Sequence, residues 1–445
     1  MASFKASKVV SVLPEALTPD TLYLVRAGAG FDLYCSDATG SIAHQLNAGG
    51  SGGGASMGDV VMSASPTQYT APDFLPLSGE THSRSEYPAL AELFPSAPFD
   101  APIRLADPAS PGAGATPAIS PDGNYLAVGI TASPFLAIYK RSGEAFVRLP
   151  NPTTLPPSRV LGLSWSPDST YLSAQHNSSP FVSFYKRTGD TLAKLANPAT
   201  LPASMDYGAN AFSPDGALVV VRASSSGYTT YLYARTGDTL TFAQSLGTAG
   251  YALSAAWSPD GSYLAIGSSG SSYNLEIFKR VGNTLTRIAL FTALSTAPHG
   301  LAWSGDGSVL YMAGTAAPYL FTYRRIGDAF ASESSLVDVA PVSAASWPSP
   351  CAVSADGGYL ALTLTASPFL LLYKIGDNGA LTRLPNPAAP PPGSSLSVSF
   401  SKVGHLALGC PSNAPHLAIY TGDVTKFMVP RMSLGVAAVK SYIKT

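Results

Sequence analysis

From about residue 117 to the C-terminus, short apolar runs rich in β-branched and aromatic residues alternate with clusters of Gly, Pro, Ser and Asp. Such runs read as strands separated by turns. They follow one repeated phrase. A representative copy reads Leu163-Ser-Trp-Ser-Pro-Asp-Ser, then Tyr171-Leu-Ser-Ala, then Pro180-Phe-Val-Ser-Phe-Tyr-Lys-Arg-Thr-Gly-Asp190, then Leu192-Ala-Lys-Leu-Ala-Asn-Pro198. The turn aspartates are Asp122, Asp168, Asp215, Asp260, Asp306 and Asp356, and a seventh copy degrades to Ser401-Lys-Val-Gly404. Successive turns lie 45–50 residues apart.

Each copy holds four strand candidates. In the first copy, one strand ends at the Ser-Pro-Asp-Gly turn, where Pro presets φ and Gly relieves the tight bend. Tyr125-Leu-Ala-Val128, Leu136-Ala-Ile-Tyr139 and Phe146-Val-Arg-Leu149 supply the other three. One four-stranded unit cannot cover both of its faces, but seven arranged radially can. The expected fold is all-β: a seven-bladed β-propeller, with a small mainly-β N-terminal attachment region and a collar-like segment. Trp165, Phe212, Trp257, Trp303 and Phe400 share one position of the repeat and are expected to pack between blades. The same holds for Tyr139, Tyr185, Tyr233, Phe278, Tyr323, Tyr373 and Tyr420. In its Ser-Pro-Asp-Gly turns the repeat resembles WD-repeat propellers, without their Gly-His and Trp-Asp signatures.

Ring closure has two candidate strands. Ile103-Arg-Leu-Ala-Asp-Pro108 matches the fourth-strand phrase Val147-Arg-Leu-Pro-Asn-Pro152, so it is expected beside Leu417-Ala-Ile-Tyr420. Lys426-Phe-Met-Val429 competes for the same place. The expected organisation is a β attachment domain over 1–47, a Gly/Ser linker over 48–56, a collar-like segment over 57–100, the propeller over 101–430 and a C-terminal tail over 431–445. Residues 428–440 are too apolar for a free tail and are expected to pack.

Two N-terminal stretches carry a family resemblance. Leu13-Pro-Glu-Ala-Leu-Thr-Pro-Asp-Thr-Leu-Tyr-Leu-Val-Arg26 with Gly30-Phe-Asp-Leu-Tyr-Cys-Ser-Asp37 resembles the N-terminal segment of tailed-phage fibre proteins, and reads as a β-hairpin. Met57-Gly-Asp-Val-Val-Met62, Phe74-Leu-Pro-Leu-Ser-Gly79 and Ser83-Arg-Ser-Glu-Tyr-Pro-Ala-Leu90 resemble the phage tail-collar motif. Ser83 is placed to cap a short helix running through Leu93. The motif's Gly-rich continuation is missing. The resemblance implies a virion part assembled in the host cytoplasm. Residues 1–100 would join other tail or baseplate proteins, in a homotrimer.

The 445 residues are 12% charged, with a net charge of -1. Residues 1–100 carry 4 Lys/Arg and 10 Asp/Glu, against 22 and 17 in the remainder. That balance argues against a nucleic-acid partner. No apolar run is long enough to span a membrane, and the apolar stretch after Met1 is too short for a secretory signal. Cys35, Cys351 and Cys410 form neither a disulfide framework nor a zinc motif.

No catalytic constellation, metal site or cofactor motif is expected. The six histidines lack metal-ligand spacing, and the carboxylates recur in turns as scaffold. The basic doublets Lys140-Arg141, Lys186-Arg187, Lys279-Arg280 and Arg324-Arg325 sit beside those carboxylates and read as a paired-charge rim.

Connectivity then separates two faces. The Ser-Pro-Asp-Gly and Gly-Asp turns share one, here called proximal, where the chain should also enter. The opposite, distal face is built from variable, hydroxyl-rich loops, and recognition concentrates in such loops. Its candidate receptor-binding residues are His176, Asn177, Tyr207, Tyr228, Tyr273, His299, Trp347 and His416. The expected function is adhesion to a host cell-surface receptor, a glycan or a protein, without catalysis. The alternatives are a propeller enzyme acting on a surface glycan or lactone, and a purely structural decoration module.

Overall fold

The structure, a computed structural model, describes residues 98–114, 116–204, 210–222, 229–269, 272–316, 319–333 and 348–422 of the repeat region. Outside it, residues 6–10, 21–27, 30–36, 43–45, 60–63, 74–76, 81–83, 85, 426–428 and 440–444 are described. Two compact units emerge: residues 99–423, and residues 1–98 together with 424–445.

The larger unit is a seven-bladed β-propeller of antiparallel four-stranded sheets. Blade 1 runs over 116–148, blade 2 over 160–194, blade 3 over 210–247, blade 4 over 251–294, blade 5 over 298–333 and blade 6 over 348–383. Blade 7 takes Ser397–Phe400, His405–Gly409 and Leu417–Thr421, and its fourth strand is Ile103–Arg104 from the other end of the chain. The phrase match thus identified the closing strand. Lys426–Met428 instead pairs with Thr81–Ser83 in the smaller unit.

Second strands are buried along all or nearly all of their length, as in Tyr125–Gly129 and Val309–Gly314. The core is therefore a series of sandwiches between neighbouring sheets. One joins Val160, Trp165 and Leu172 of blade 2 to Ala127, Leu136 and Ile138 of blade 1. Another joins Ala407, Leu417 and Ile419 of blade 7 to Leu126, Val128 and Tyr139 of blade 1, across the closure. The repeated tryptophans also bond across the seams: the indole N–H groups of Trp165, Trp257 and Trp303 donate to Ala118, Ala211 and Ala256 carbonyls of the preceding blades at 2.9–3.2 Å.

The Ser-Pro-Asp-Gly turn is a small hydrogen-bonded unit. In blade 1, Ser120 Oγ donates to Asp122 Oδ1 at 2.5 Å and accepts the Tyr125 N–H at 2.9 Å, while Asp122 Oδ1 accepts the Asn124 N–H. Gly123 sits at φ 70°. Blade 2 has Ser169 there, at φ 59° without glycine's freedom. Its hydroxyl accepts the Asp122 N–H of blade 1 at 3.0 Å, which offsets part of that cost.

The second repeated turn latches neighbouring blades. Asp190 of blade 2 accepts from Tyr125 Oη at 2.7 Å and Lys140 Nζ at 2.9 Å, both of blade 1. Asp238 does the same for Tyr171 and Lys186, and Asp328 for Tyr263 and Lys279. The arginine at the position after the lysine reaches backward in blades 2 and 3. Arg187 and Arg235 lie 4.4 and 4.3 Å above the rings of Tyr125 and Tyr171. Asp100, just before the closing strand, takes the Lys374 ammonium at 3.3 Å, and buried Phe99 packs edge-on against Phe400. The propeller therefore begins at Phe99, two residues before the sequence expectation.

The seam between blades 3 and 4 lacks the latch. Leu218, Ala234 and Asn283 occupy the Tyr, Lys and Asp positions. Gln244 substitutes: its Nε2 donates to the Leu285 carbonyl and its Oε1 accepts the Leu285 N–H, both at 2.9 Å.

In the smaller unit, Ala6–Val10, Thr21–Ala27, Gly30–Ser36 and Ala43–Gln45 form one sheet. Its second and third strands make the expected hairpin. Lys440–Lys444 lies between Val60–Ser63 and Phe74–Pro76 as a central strand. The stretch expected as a C-terminal tail, 431–445, thus includes a strand built around the strand-forming Tyr442 and Ile443, and the propeller is inserted between strands of this unit. Thr81–Ser83 is extended. The helix expected from Ser83 to Leu93 lies largely outside the described residues.

Gln244→Ala should remove two hydrogen bonds from a seam that lacks the Tyr–Lys–Asp latch. A loss of about 1–2 kcal/mol is expected, read as a lower urea midpoint at unchanged m. Tyr171→Phe, at a half-exposed latch, should cost less. A larger loss in Tyr171→Phe would show that the charged latches dominate the ring.

Candidate functional site

The two ends of the blades differ in chemistry. On the proximal face a shallow cavity of about 350 Å³ opens between blades 4 and 5, lined by Asp260, Tyr263, Lys279, Arg280 and Arg325 among others. Its cations are engaged within the ring: Lys279 with Asp328, Arg280 with Asp215 and Arg325 with Asp260, at 2.6–3.3 Å. Hydrogen bonds from Lys279 and Tyr263 hold the Asp328 carboxyl below its usual pKa, as those from Lys140 and Tyr125 do for Asp190. These charges join blades. Both chain ends of the propeller, at Asp100 and Gly422, also leave at this end of blade 7, since Ile103 pairs with Thr421.

The distal face repeats in part: the second-to-third turns of blades 1, 2, 5, 6 and 7 each place one residue at φ 64–67°, namely Phe135, Phe181, Tyr319, Phe369 and His416. His176 was expected on its surface but is buried at the end of the second strand of blade 2. Its Nδ1 lies 2.8 Å from the Ser178 carbonyl and its Nε2 3.0 Å from Ser183 Oγ, so the ring pins the turn. Burial lowers its pKa to about 4. The adjacent Asn177 is exposed. His416 is half-buried at φ 67°, and its N–H donates to the Asn413 carbonyl at 2.7 Å, closing the turn of blade 7. Tyr207, Tyr228 and Trp347 lie outside the described residues.

Tyr273 and His299 are exposed, as expected, on blades 4 and 5. Register brings Tyr273 together with a residue that the loop reading missed. Tyr251 pairs with Ser269, Ser269 with Tyr273, and Tyr273 with Leu294. Directly paired residues on antiparallel strands share a face, so these four form a row along the distal lip of blade 4. The two tyrosines are 38% and 40% exposed, which is high for large side chains on ordered strands. Tyr251 could have been suspected: it follows Gly247-Thr-Ala-Gly250, the loop entering blade 4 from the distal side.

The lip rests on buried polar groups that break the repeat. Glu276 is fully buried in the third strand of blade 4. Its Oε1 accepts the Ala249 N–H at 2.8 Å and Ser268 Oγ at 3.0 Å, and its Oε2 pairs with Arg287 at 2.9 Å. Thr248 Oγ1 donates to the Gly250 carbonyl at 2.7 Å. The loop before Tyr251 is thus tied down at two points. Asn274 Nδ2 donates to the Ser272 carbonyl at 3.1 Å and fixes the chain around Tyr273. Gln175 and Arg222 add further buried polar side chains in blades 2 and 3, with Gln175 Nε2 donating to the Arg222 carbonyl. The sequence reading found no such non-repeating polar cluster. Among the described residues, no three His, Cys, Asp or Glu side chains converge as a metal site would require.

No family model matches the chain, and no curated protein matches it. Solved structures share its fold. The periplasmic gluconolactonase of Pseudomonas aeruginosa aligns at TM-score 0.54 and 16% identity, over 72% of this chain and 98% of that one. The Swd1 β-propeller domain of Myceliophteria thermophila aligns at 0.53 and 15%, over 72% and 99%. A putative 6-phosphogluconolactonase from Bacteroides fragilis aligns at 0.51 and 16%, over 64% and 87%. At such identities the likeness shows a β-propeller and nothing finer.

His176 gives a pH dependence of definite sign. Its folded-state pKa lies below the ordinary histidine value, so the unfolded chain binds the proton more readily. The stability due to the neutral ring is complete above about pH 6.5 and is lost as the pH falls toward about 4. Thermal unfolding scanned across this window should show a shallower decline for His176→Gln than for the parent. Equal slopes would show that the ring does not titrate with unfolding.

Proposed function

We propose that the chain is a virion protein of a tailed phage, a tail fibre or tail-tip component that displays its propeller for adhesion to a host cell-surface receptor. Residues 1–100 would attach it to other tail or baseplate proteins, as a homotrimer. The phage assignment rests on the fibre-like run at 13–37 and the collar-like run at 57–90. The adhesion assignment rests on one observation. Both chain ends leave the propeller on the face whose charges join the blades, and the opposite face carries exposed tyrosines on tied-down backbone. Copies displayed together would multiply a modest affinity.

A lactonase reading has one observation in its favour, a gluconolactonase and a protein named as a putative 6-phosphogluconolactonase among the structural neighbours. The same likeness extends to the Swd1 domain, so the fold does not choose between binding and catalysis.

The test uses the full-length protein, fluorescently labelled, on cells of a strain susceptible to the parent phage. Saturable binding that competes with infection is expected, with no loss of surface-polysaccharide mass and no lactone hydrolysis. Hydrolysis of either substrate would favour the enzyme. Absence of binding, even by a multimerised form, would leave a structural part of the virion.

A further inference from the structure

We propose that the distal lip of blade 4, facing blade 5, is a subsite for a neutral saccharide, with Tyr251 and Tyr273 as its two stacking platforms. The proposal rests on the adhesion reading and narrows the receptor to a glycan.

The row has a definite orientation. Ser269 lies on the same side of its strand as Gly267, two residues earlier. A Cβ added at Gly267 would come within 2.7 Å of the Pro298 carbonyl oxygen at the start of blade 5. Leu294, at the outer end of the row, packs into the sandwich with Leu301 and Trp303 of blade 5. Tyr251, Ser269 and Tyr273 therefore look toward blade 5, where the exposed His299 follows Pro298. Tyr251 and Tyr273 stand on strands separated by one other, so their backbones are about 10 Å apart. That span suits a ligand of more than one sugar ring.

The chemistry selects the ligand class. Two tyrosine rings keep close to two-fifths of their surface in water, and burying them stabilises only a ligand with an apolar face. The half-exposed Ser269 stands between them, and His299 is exposed at the start of blade 5. A wholly apolar partner would leave these hydrogen-bonding groups desolvated and unmatched. A sugar ring answers both demands, since it offers a face of C–H groups edged with hydroxyls. No charged residue stands in the row. The carboxylate beneath it, Glu276, is buried and engaged by Arg287, Ser268 and the Ala249 N–H. An anionic saccharide would find no cation in the row to pair with. Because the backbone carrying both rings is tied down, little ordering would oppose binding.

The probe is an array of neutral and acidic oligosaccharides, read with the labelled full-length protein and followed by calorimetry on any glycan retained. Binding is expected for neutral oligosaccharides of two or more sugars. Tyr251→Ala and Tyr273→Ala should each weaken it by about tenfold or more. Tyr251→Phe and Tyr273→Phe, which keep the ring, should stay near the parent. Both positions are exposed, so unchanged melting temperatures will separate lost contact from lost fold. Retention of acidic glycans alone, of no glycan, or parent-like affinity in both alanine variants would overturn the subsite. Cell binding distinguishes this failure from that of adhesion itself. If the parent and both alanine variants bind cells equally, adhesion stands and the subsite falls. If the parent does not bind cells, the adhesion reading falls. Cell binding abolished by protease but untouched by periodate would identify a protein receptor and refute the saccharide.

Discussion

A four-stranded sheet with two apolar faces cannot stand alone in water, and this structure follows from that constraint. Second strands such as Tyr125–Gly129 are buried from end to end, so every blade needs a neighbour on both sides. Only a closed ring meets that need for all seven at once. Closure is therefore a condition of stability, although the closing strand Ile103–Arg104 spans only two residues. Its grip comes largely from what precedes it. Phe99 is buried against blades 6 and 7, and Asp100 takes the place at the closing seam that Asp190, Asp238 and Asp328 hold elsewhere. The last seam, between blades 7 and 1, sets His405 Nε2 3.5 Å from Glu144 Oε2 in the corresponding positions.

The repeat was legible because each copy must solve the same packing problem with the same residues. The Ser-x-Asp turn returns in six blades, and the inter-blade aromatic position and the fourth-strand phrase in several, so period and phrase sufficed to read the fold. What the period does not carry was hard to see. Asp100 lies more than 250 residues from Lys374, and nothing local marks it as a latch. The central strand Lys440–Lys444 is too short to signal its partners at Val60–Ser63 and Phe74–Pro76. On the distal face, reading loops by exposure went astray at His176. That residue belongs to the strand, and its two ring nitrogens are turned inward to Ser178 and Ser183. Tyr251 was missed for the complementary reason: it is a strand residue that stays exposed, visible only through its register with Ser269.

Where the repeat breaks, it breaks in one sector. The fourth-strand phrase, with its basic residue and following Asn or Asp, survives as Arg148 with Asn151, Lys194 with Asn197, Arg383 with Asn386 and Arg104 with Asp107. Those pairs belong to blades 1, 2, 6 and 7. In blades 3 and 4 the outer strands instead lengthen to Thr239–Gly247 and Thr284–Leu294. Exposed Phe242, Ile288 and Leu290 are in these strands, and Tyr251 and Tyr273 begin two inner ones. The seam joining these blades lacks the Tyr–Lys–Asp latch and is held instead by Gln244 and the Arg280–Asp215 pair. A sequence selected only for ring stability has no reason to concentrate its departures in adjacent blades.

Glu276 shows what the departure requires. A fully buried carboxylate is costly unless its oxygens are satisfied, and the matching third-strand positions in blades 1, 5, 6 and 7 hold Ala137, Phe321, Leu371 and Ala418. Here three donors meet it, and one is the backbone N–H of Ala249, two residues before Tyr251. A hydrophobic residue would pack as well in the sheet and leave that N–H without its partner. The polar group thus serves the loop more than the core. It fixes the backbone that carries an exposed ring, on the face from which neither end of the propeller emerges. Rigid support beneath an exposed aromatic side chain has little value to a ring that needs only to stay closed. It has value where the ring must be held ready for something outside the molecule.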